Sequence, residues 1–290
     1  MYLFTNRIIQ EKYCFRVRKF PLVVNHSRSL LSIFENIIYL KYYCYKMTRL
    51  LPILFIIFHF QSTAQTAKID TLFFQVSERF KPEKTLKLKF PIIRTGNKNA
   101  DLLINTDLKD KITYNEYPGT STDSALSKWG NDIITDMNFE VTYNQKGIIS
   151  LTIYSEGCGA YCSSGNDYFN YSLVTGKSLN LNDIVDTTGS FRAKVYTDLH
   201  QQYETQRSEL KELVTSDQDG EFDQTKYNWV LENYNSCEQA FDFTSFALYV
   251  DRLEIMEHCY LSNAIKNLSP IIELKYTYAD IKEYLKTIIQ

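Results

Sequence analysis

Residues 138–156 read NFEVTYNQKGIISLTIYSE, and this stretch decides the fold. Two runs rich in β-branched and aromatic residues, Asn138–Tyr143 and Ile148–Glu156, flank the polar residues Asn144-Gln145-Lys146-Gly147. This pattern is typical of two antiparallel strands joined by a tight turn, in which glycine supplies a positive φ angle. The stretch therefore predicts a β-hairpin and, with it, an antiparallel sheet.

The rest of the chain divides into strands and helices by the spacing of its apolar residues. Alternation or short apolar runs predict strands, and apolar residues at helical spacing predict helices. The predicted strands are 71–77, 85–90, 168–173, 241–250, 253–257 and 271–275, and the predicted helices are 97–112, 123–135, 181–185, 191–214, 227–234 and 278–289. Because the strands connect by hairpins and the helices come in blocks, we predict an α+β fold. It would be mainly antiparallel sheet with helices packed on one side, preceded by a signal peptide.

An apolar run at residues 50–60, LLPILFIIFHF, marks where the working protein begins. It follows Arg49 and precedes Ser62-Thr63-Ala64, so residues 47–64 have the layout of a secretory signal peptide. The run is too short to cross a bilayer as a helix, which takes about 20 apolar residues. We therefore expect a periplasmic or secreted protein with no stable membrane span.

Residues 1–46 fit this layout poorly, because a signal peptide leads the nascent chain. We interpret them as an upstream extension that follows from a wrongly assigned start codon. The alternative is a cytoplasmic basic tail on a single-pass anchor. Residues 65–290 then form the exported domain, either as one body or as two subdomains at about 65–165 and 166–290.

The net charge of the chain indicates which kinds of partner it could bind. Residues 1–46 hold eight Lys and Arg against two acidic residues, whereas the whole chain has a net charge of −2. Residues 65–290 are therefore acidic. An acidic protein repels phosphate backbones, which disfavours nucleic acid as a partner, and it suits a basic protein instead.

Four cysteines lie in the exported part, namely Cys158, Cys162, Cys237 and Cys259. An even number in an exported chain predicts two disulfides, for which three pairings exist. We favour Cys158–Cys162, because the glycine-bearing sequence GCGAYC at 157–162 can bring the two sulfurs together. The remaining pair, Cys237–Cys259, would tie the segment that enters one strand to the end of the next. The alternative, a four-sulfur zinc site, lacks the Cys-x2-Cys spacing.

Other site chemistries have weak sequence support. The acidic stretch Asp217–Asp223 suggests a calcium loop, but its glycine is fourth rather than sixth, so we interpret it as a solvated turn. Neither His200 nor His258 has a second histidine at metal-ligand spacing, so we assign both a solvated or structural role. A thiol protease built on Cys158 and His258 would need a free thiolate. We therefore predict no metal, no cofactor and no catalytic residue.

The order of four segments carries a family resemblance. They are DLLIN at 101–105, YFNYSLVTGKSLNLNDIV at 168–185, FTSFALYV at 243–250 and IIELKYTYADIKEYL at 271–285. In this order they resemble the extracytoplasmic domain of RsiV-type lysozyme-sensing anti-sigma factors, a domain that also occurs next to peptidoglycan deacetylase domains. The resemblance covers about residues 85–290. It implies an exported α+β domain that binds rather than catalyses, and lysozyme is the partner of its sensor members.

These observations together predict a non-enzymatic binding domain of the cell envelope. Its partner would be a basic protein such as lysozyme, or a cell-wall glycan. Loops held by a rigid scaffold commonly carry function, so we expect recognition near the cysteine loop, with Tyr161, Asp167 and Tyr168 as binding residues. The alternative is an envelope hydrolase acting on glycan or peptidoglycan. In that case Glu156, Asp167 and Asp183 would flank a cleft, with a carboxylate pair about 5–10 Å apart.

Overall fold

The computed structural model describes residues 65–75, 87–130, 134–216 and 222–286, all within one compact unit, Gln61–Gln290. The predicted signal peptide, residues 1–46, the start of the strand at 85–90 and most of the acidic stretch at 217–223 lie outside the described residues. The described part holds five α-helices and eight strands in three antiparallel sheets. This arrangement confirms the predicted α+β class.

The elements run in the following order. The strands are β1 (Lys68–Gln75), β2 (Lys87–Arg94), β3 (Ile134–Gln145), β4 (Ile148–Cys158), β5 (Cys162–Ser172), β6 (Phe246–Leu248), β7 (Arg252–Ile255) and β8 (Leu274–Thr277). The helices are α1 (Lys98–Ile112), α2 (Thr122–Gly130), α3 (Leu181–Ile184), α4 (Gly189–Ser216) and α5 (Gln224–Ala240). Relative to the prediction, α5 is longer than 227–234 and β6 is shorter than 241–250. None of the described helices is long and apolar enough to cross a membrane.

The central sheet is a meander in the order β3-β4-β5. Its first hairpin is the predicted one, with the loop reduced to Lys146 and Gly147. Both loop residues have positive φ angles, 53° and 73°, as two-residue hairpin loops commonly require. β5 starts at Cys162, well before the predicted position, and pairs with β4 from Ser172 back to Cys162. The central sheet is therefore larger than the sequence pattern indicates.

The first half of β4 is buried on both faces. Ile149, Leu151 and Ile153 pack in one hydrophobic core, which also contains apolar residues of β1, β2, α1 and α2. Ile148 belongs to a second core, formed with α3, α4, α5 and the sheet β6-β7-β8. Successive side chains of a strand point to opposite faces, so one sheet contributes to two cores. The helices are accordingly divided between these cores.

Two buried polar side chains join the central sheet to β6. The Oγ of Ser150 accepts a hydrogen bond from the backbone N–H of Leu248 at 3.0 Å, and Nδ2 of Asn170 donates to the carbonyl of Phe246 at 2.8 Å. Among the described strands, β6 pairs only with β7. Ser150 and Asn170 therefore satisfy backbone groups on the other edge of β6, where no strand does so.

The turn after β5 packs on the start of α1. Gly176 has a φ angle of 73°, and a Cβ placed there would lie 2.7 Å from Cα of Ala100. The helix itself begins where predicted, because the side chain of Asn97 accepts hydrogen bonds from the amides of Asn99 and Ala100. The close approach therefore depends on glycine at position 176.

The C-terminal segment differs from the prediction. The sequence pattern predicts a helix over 278–289, but the structure has consecutive turns over 278–284, and residues 287–289 lie outside the described part of the chain. The backbone N–H of Asp186 donates to the carbonyl of Tyr284, and that of Lys286 donates to the carbonyl of Ile184. The carbonyl of Tyr284 and the N–H of Lys286 are therefore bonded to another segment, and they are not available for the hydrogen bonds of a last helical turn. The preceding strand is β8, shifted from the predicted 271–275.

Candidate binding site

A disulfide closes the hairpin of β4 and β5. Cys158 and Cys162 are the last cross-strand pair, and their Cα atoms lie 4.0 Å apart. Such close spacing is typical of the non-hydrogen-bonded pairs of an antiparallel sheet, at about 4.5 Å. The second predicted disulfide, Cys237–Cys259, joins α5 to the segment after β7. The structure thus contains both disulfides in the favoured pairing.

A cavity of about 430 Å³ lies beside β5, on the side away from β4. Its walls include Lys111, Asp167, Tyr168, Ser245, His258 and Tyr260. Two of the three predicted binding residues, Asp167 and Tyr168, therefore line one cavity. Tyr161 does not: it lies at the tip of the cysteine loop with 74% of its surface exposed.

His258 and Tyr260 complete the aromatic part of the cavity. The Oη of Tyr260 lies 3.2 Å from Nδ1 of His258, and the two rings stack with centroids 5.7 Å apart. The ring of His258 is 6.1 Å from that of Tyr168. The sequence pattern predicts a solvated or structural role for His258 and does not indicate Tyr260 as a site residue. One sequence feature could have indicated these two residues, namely Cys259, which lies between them. Its disulfide to Cys237 fixes the segment to α5.

The cavity disfavours uncompensated charge. Burial raises the pKa of the Asp167 carboxyl, and the nearby His258 opposes this shift. Burial also lowers the pKa of His258, against the attraction of Asp167 and Asp242. A ligand that brings a positive charge to Asp167 would favour the ionised carboxylate. Shifted titratable groups that converge in a cavity are typical of functional sites.

The three acids predicted for a hydrolase do not converge. Glu156 pairs with Ser164 across the hairpin, and Asp167 lies three positions further along β5. Because side chains alternate along a strand, Glu156 and Asp167 project from opposite faces of the sheet. Asp183 caps α3 instead, and its carboxylate accepts a hydrogen bond from the N–H of Asn180 at 2.8 Å. The arrangement does not provide one cleft flanked by these carboxylates.

One group of potential metal ligands stands out in the described part of the chain, formed by Glu156, Cys158 and Cys162. Both sulfurs belong to the hairpin disulfide. A metal-binding cysteine must be a thiolate, so this group cannot hold a metal while the disulfide is intact.

A larger groove of about 930 Å³ lies beside the β3–β4 loop and is lined by Val250, Tyr278 and Lys282, among others. The hydroxyl of Tyr278 already donates to the carbonyl of Tyr249 at 2.8 Å. We place the candidate site in the smaller cavity, because a carboxyl, an imidazole and a phenol meet there through Asp167, His258 and Tyr260.

The fold and this cavity define an α+β domain with an aromatic-lined site beside the outer strand of a sheet. The fold is similar to that of a DUF3298 family member from Bacteroides fragilis, with a TM-score of 0.50 and 14% identity over 78% of this chain and 97% of that one. A DUF3298 family protein from Pseudomonas aeruginosa gives a TM-score of 0.45 and 14% identity over 77% and 96% of the two chains. No protein-family model and no curated protein matches the sequence. The likeness to the Bacteroides protein concerns the fold.

Proposed function

We propose that this chain is an exported, non-enzymatic binding domain of the cell envelope, and that it binds its partner at the cavity beside β5. The observation that carries the proposal is the convergence of Asp167, Tyr168, His258 and Tyr260 around about 430 Å³ of open space. Aromatic side chains with a polar end are well suited to binding, because they offer large contact areas at low entropic cost.

Export is supported by the cysteines and by the predicted signal peptide. Disulfides commonly form and persist in oxidising compartments, such as the bacterial periplasm or the extracellular space, so the two present here support export. We expect the protein recovered from cells to begin at Gln65 and to contain no free thiol. N-terminal sequencing and thiol titration of the native protein would test this. A cytoplasmic product with reduced cysteines would contradict it.

Binding is favoured over hydrolysis by the positions of the acids. A glycosidase needs two carboxylates on one substrate, about 5–10 Å apart. Glu156 and Asp167 project from opposite faces of the sheet, and Asp183 is engaged at a helix start. The hydrolase alternative therefore gains no support from this geometry.

The partner we propose is a basic protein, in line with the resemblance to lysozyme-sensing domains and the acidic residues 65–290. Asp167 in the cavity offers a negative group to such a partner. Attraction between opposite charges weakens as salt is added, so binding should be salt-dependent.

Titration of the exported protein with lysozyme, and in parallel with soluble muropeptides, would test the proposed function. We expect Tyr168→Ala to weaken binding about tenfold or more, as for an aromatic residue at the centre of an interface. Tyr161→Ala is the matched control outside the cavity wall and should bind like the native protein. Failure of both probes to bind would count against this function, and a loss confined to Tyr161→Ala would move the site to the loop tip.

A further inference from the structure

Among the described strands, none lies beside the outer edge of β5 over residues 163–169. In the described structure β5 ends its sheet, and only its last residues find partners on the outer side. There the carbonyl of Asn170 accepts from Leu179 N at 2.8 Å, and the N–H of Ser172 donates to Lys177 O at 2.9 Å. The backbone groups of residues 170 and 172 therefore point away from β4.

Strand alternation extends this assignment along β5. Since residues 170 and 172 point outward, the N–H and C=O groups of Ser164, Asn166 and Tyr168 point outward too. None of these groups has a backbone hydrogen-bond partner among the described residues. They form a row of donors and acceptors at the spacing that an added strand would need.

The edge also lacks the usual protection against pairing. Proteins commonly block an open edge with lysine, proline or a bulge. Residues 162–169 read CSSGNDYF, with no lysine and no proline, and the pairing with β4 proceeds without a register shift. The disulfide between Cys158 and Cys162 holds the end of the strand in place.

We propose that an extended, basic segment of a partner protein adds to the outer edge of β5 as a fourth strand of the central sheet. This inference rests on the proposed binding function and states how the partner is held. Main-chain hydrogen bonds would supply part of the affinity, and the cavity walls would select alternate side chains.

The charges around the edge specify a basic occupant. Asp167 lines the cavity, and Asp242 acts electrostatically on His258. Glu254, which acts on Tyr168, is already paired with Arg252 at 2.6 Å. Lys111, the cation of the cavity wall, is paired with Asp107 at 2.8 Å. The edge therefore presents net negative charge to a ligand.

The two sides of the edge select different side chains. Tyr168 lies on the face that packs against β6, and Asp167 lies on the opposite face, because neighbouring residues alternate. An added strand alternates in the same way. A segment in which basic residues alternate with apolar ones would place the former beside Asp167 and the latter beside Tyr168 and His258.

The test uses a synthetic nonapeptide of alternating lysine and valine, titrated against the protein purified after export. The informative pair of variants is Asn166→Pro and Asn166→Ala. Both variants remove the Asn166 side chain, but only proline removes the outward N–H. Because this N–H points away from β4, its loss leaves the hydrogen bonds between β4 and β5 in place. Asn166 also lines the cavity, so the informative quantity is the difference between the two variants. We expect Asn166→Pro to bind about tenfold more weakly than Asn166→Ala, because one lost hydrogen bond and a steric block separate them.

Two controls accompany the affinities. The same peptide with glutamate in place of lysine should not bind. In the native protein, amide hydrogen exchange at Ser164, Asn166 and Tyr168 should slow when the lysine peptide is added, which does not depend on how the proline variant folds.

The remaining outcomes separate this inference from the proposed function. Equal binding by Asn166→Pro and Asn166→Ala, with binding lost in Tyr168→Ala, would overturn strand addition and leave a binding site at the cavity. A dimer that Asn166→Pro dissociates would assign the edge to a second copy of the chain and overturn the proposal. Muropeptide binding without peptide binding would also overturn it, in favour of a glycan.

Discussion

At the scale of single residues, Gly176 and Gly96 form a matched pair. Both have positive φ angles, 73° and 84°, but a Cβ at 176 would meet the backbone of Ala100 at 2.7 Å, whereas a Cβ at 96 would meet nothing within 4 Å. We expect Gly96→Ala to lower the free energy of unfolding by about 1 kcal/mol and Gly176→Ala by about 3 kcal/mol. Urea denaturation of both variants would measure this. Equal losses would show that α1 adjusts without cost.

Glu257 should make stability depend on pH. Its carboxylate accepts a hydrogen bond from the hydroxyl of Tyr203 at 2.5 Å, and burial raises its pKa above the ordinary 4.5. A carboxyl with a raised pKa in the folded state binds its proton more tightly there, so its contribution to stability is complete at low pH. That contribution declines as the pH rises through the raised pKa.

The variant Glu257→Gln tests this, because glutamine keeps an acceptor for Tyr203 and carries no charge. Between about pH 4.5 and 7 we expect the native protein to lose stability relative to the variant. Urea midpoints measured at several pH values would show the difference. Parallel curves for the two proteins would contradict it.

At the scale of elements, the two disulfides should differ in their effect on stability. Cys237–Cys259 closes a loop with a sequence separation of 22, and Cys158–Cys162 one of 4. On the chain-entropy model these closures are worth about 3 and about 2 kcal/mol. Replacing each pair by alanine and measuring unfolding in guanidinium would compare them. A larger loss from the 158–162 pair would mean that it acts on the folded hairpin rather than on the unfolded chain.

The elements also show which parts of the structure the sequence could predict. The hairpin at 138–156 and the Cys158–Cys162 pair were predictable, because strand alternation, turn residues and short loops are local properties. The prediction of a closing helix was wrong, because helical spacing at 278–289 does not reveal the bridge between Val185 and Leu285. His258 and Tyr260 reach β5 by long-range packing, which the spacing of residues along the chain does not encode.

At the scale of the whole molecule, Ser150 joins the central sheet to the sheet β6-β7-β8. Its hydroxyl accepts a buried hydrogen bond from the N–H of Leu248 at 3.0 Å, and Thr142 Oγ1 donates to it at 3.1 Å. Ser150→Ala would leave a buried N–H without its partner, which costs about 1–3 kcal/mol. Ser172, which is only partly buried and whose hydroxyl accepts from Thr175 N, is the control, and Ser172→Ala should change stability by less than about 0.5 kcal/mol.

The same variant tests whether the molecule unfolds as one unit. Because β3 and β4 contribute to both cores, we expect Ser150→Ala to lower the near-UV and far-UV transitions together. Two separated transitions would instead support a division into independent subdomains.

The burial of the first half of β4 on both sides has a consequence for how the central strands align. From Ile148 to Leu151 every residue is buried, so burial alone cannot distinguish the native alignment from one displaced by a single residue. Such a displacement would exchange the sides on which Asp167 and Tyr168 project. The glycine loop at one end of β4 and the cystine at the other therefore determine which chemistry each side of the β5 edge offers to a partner.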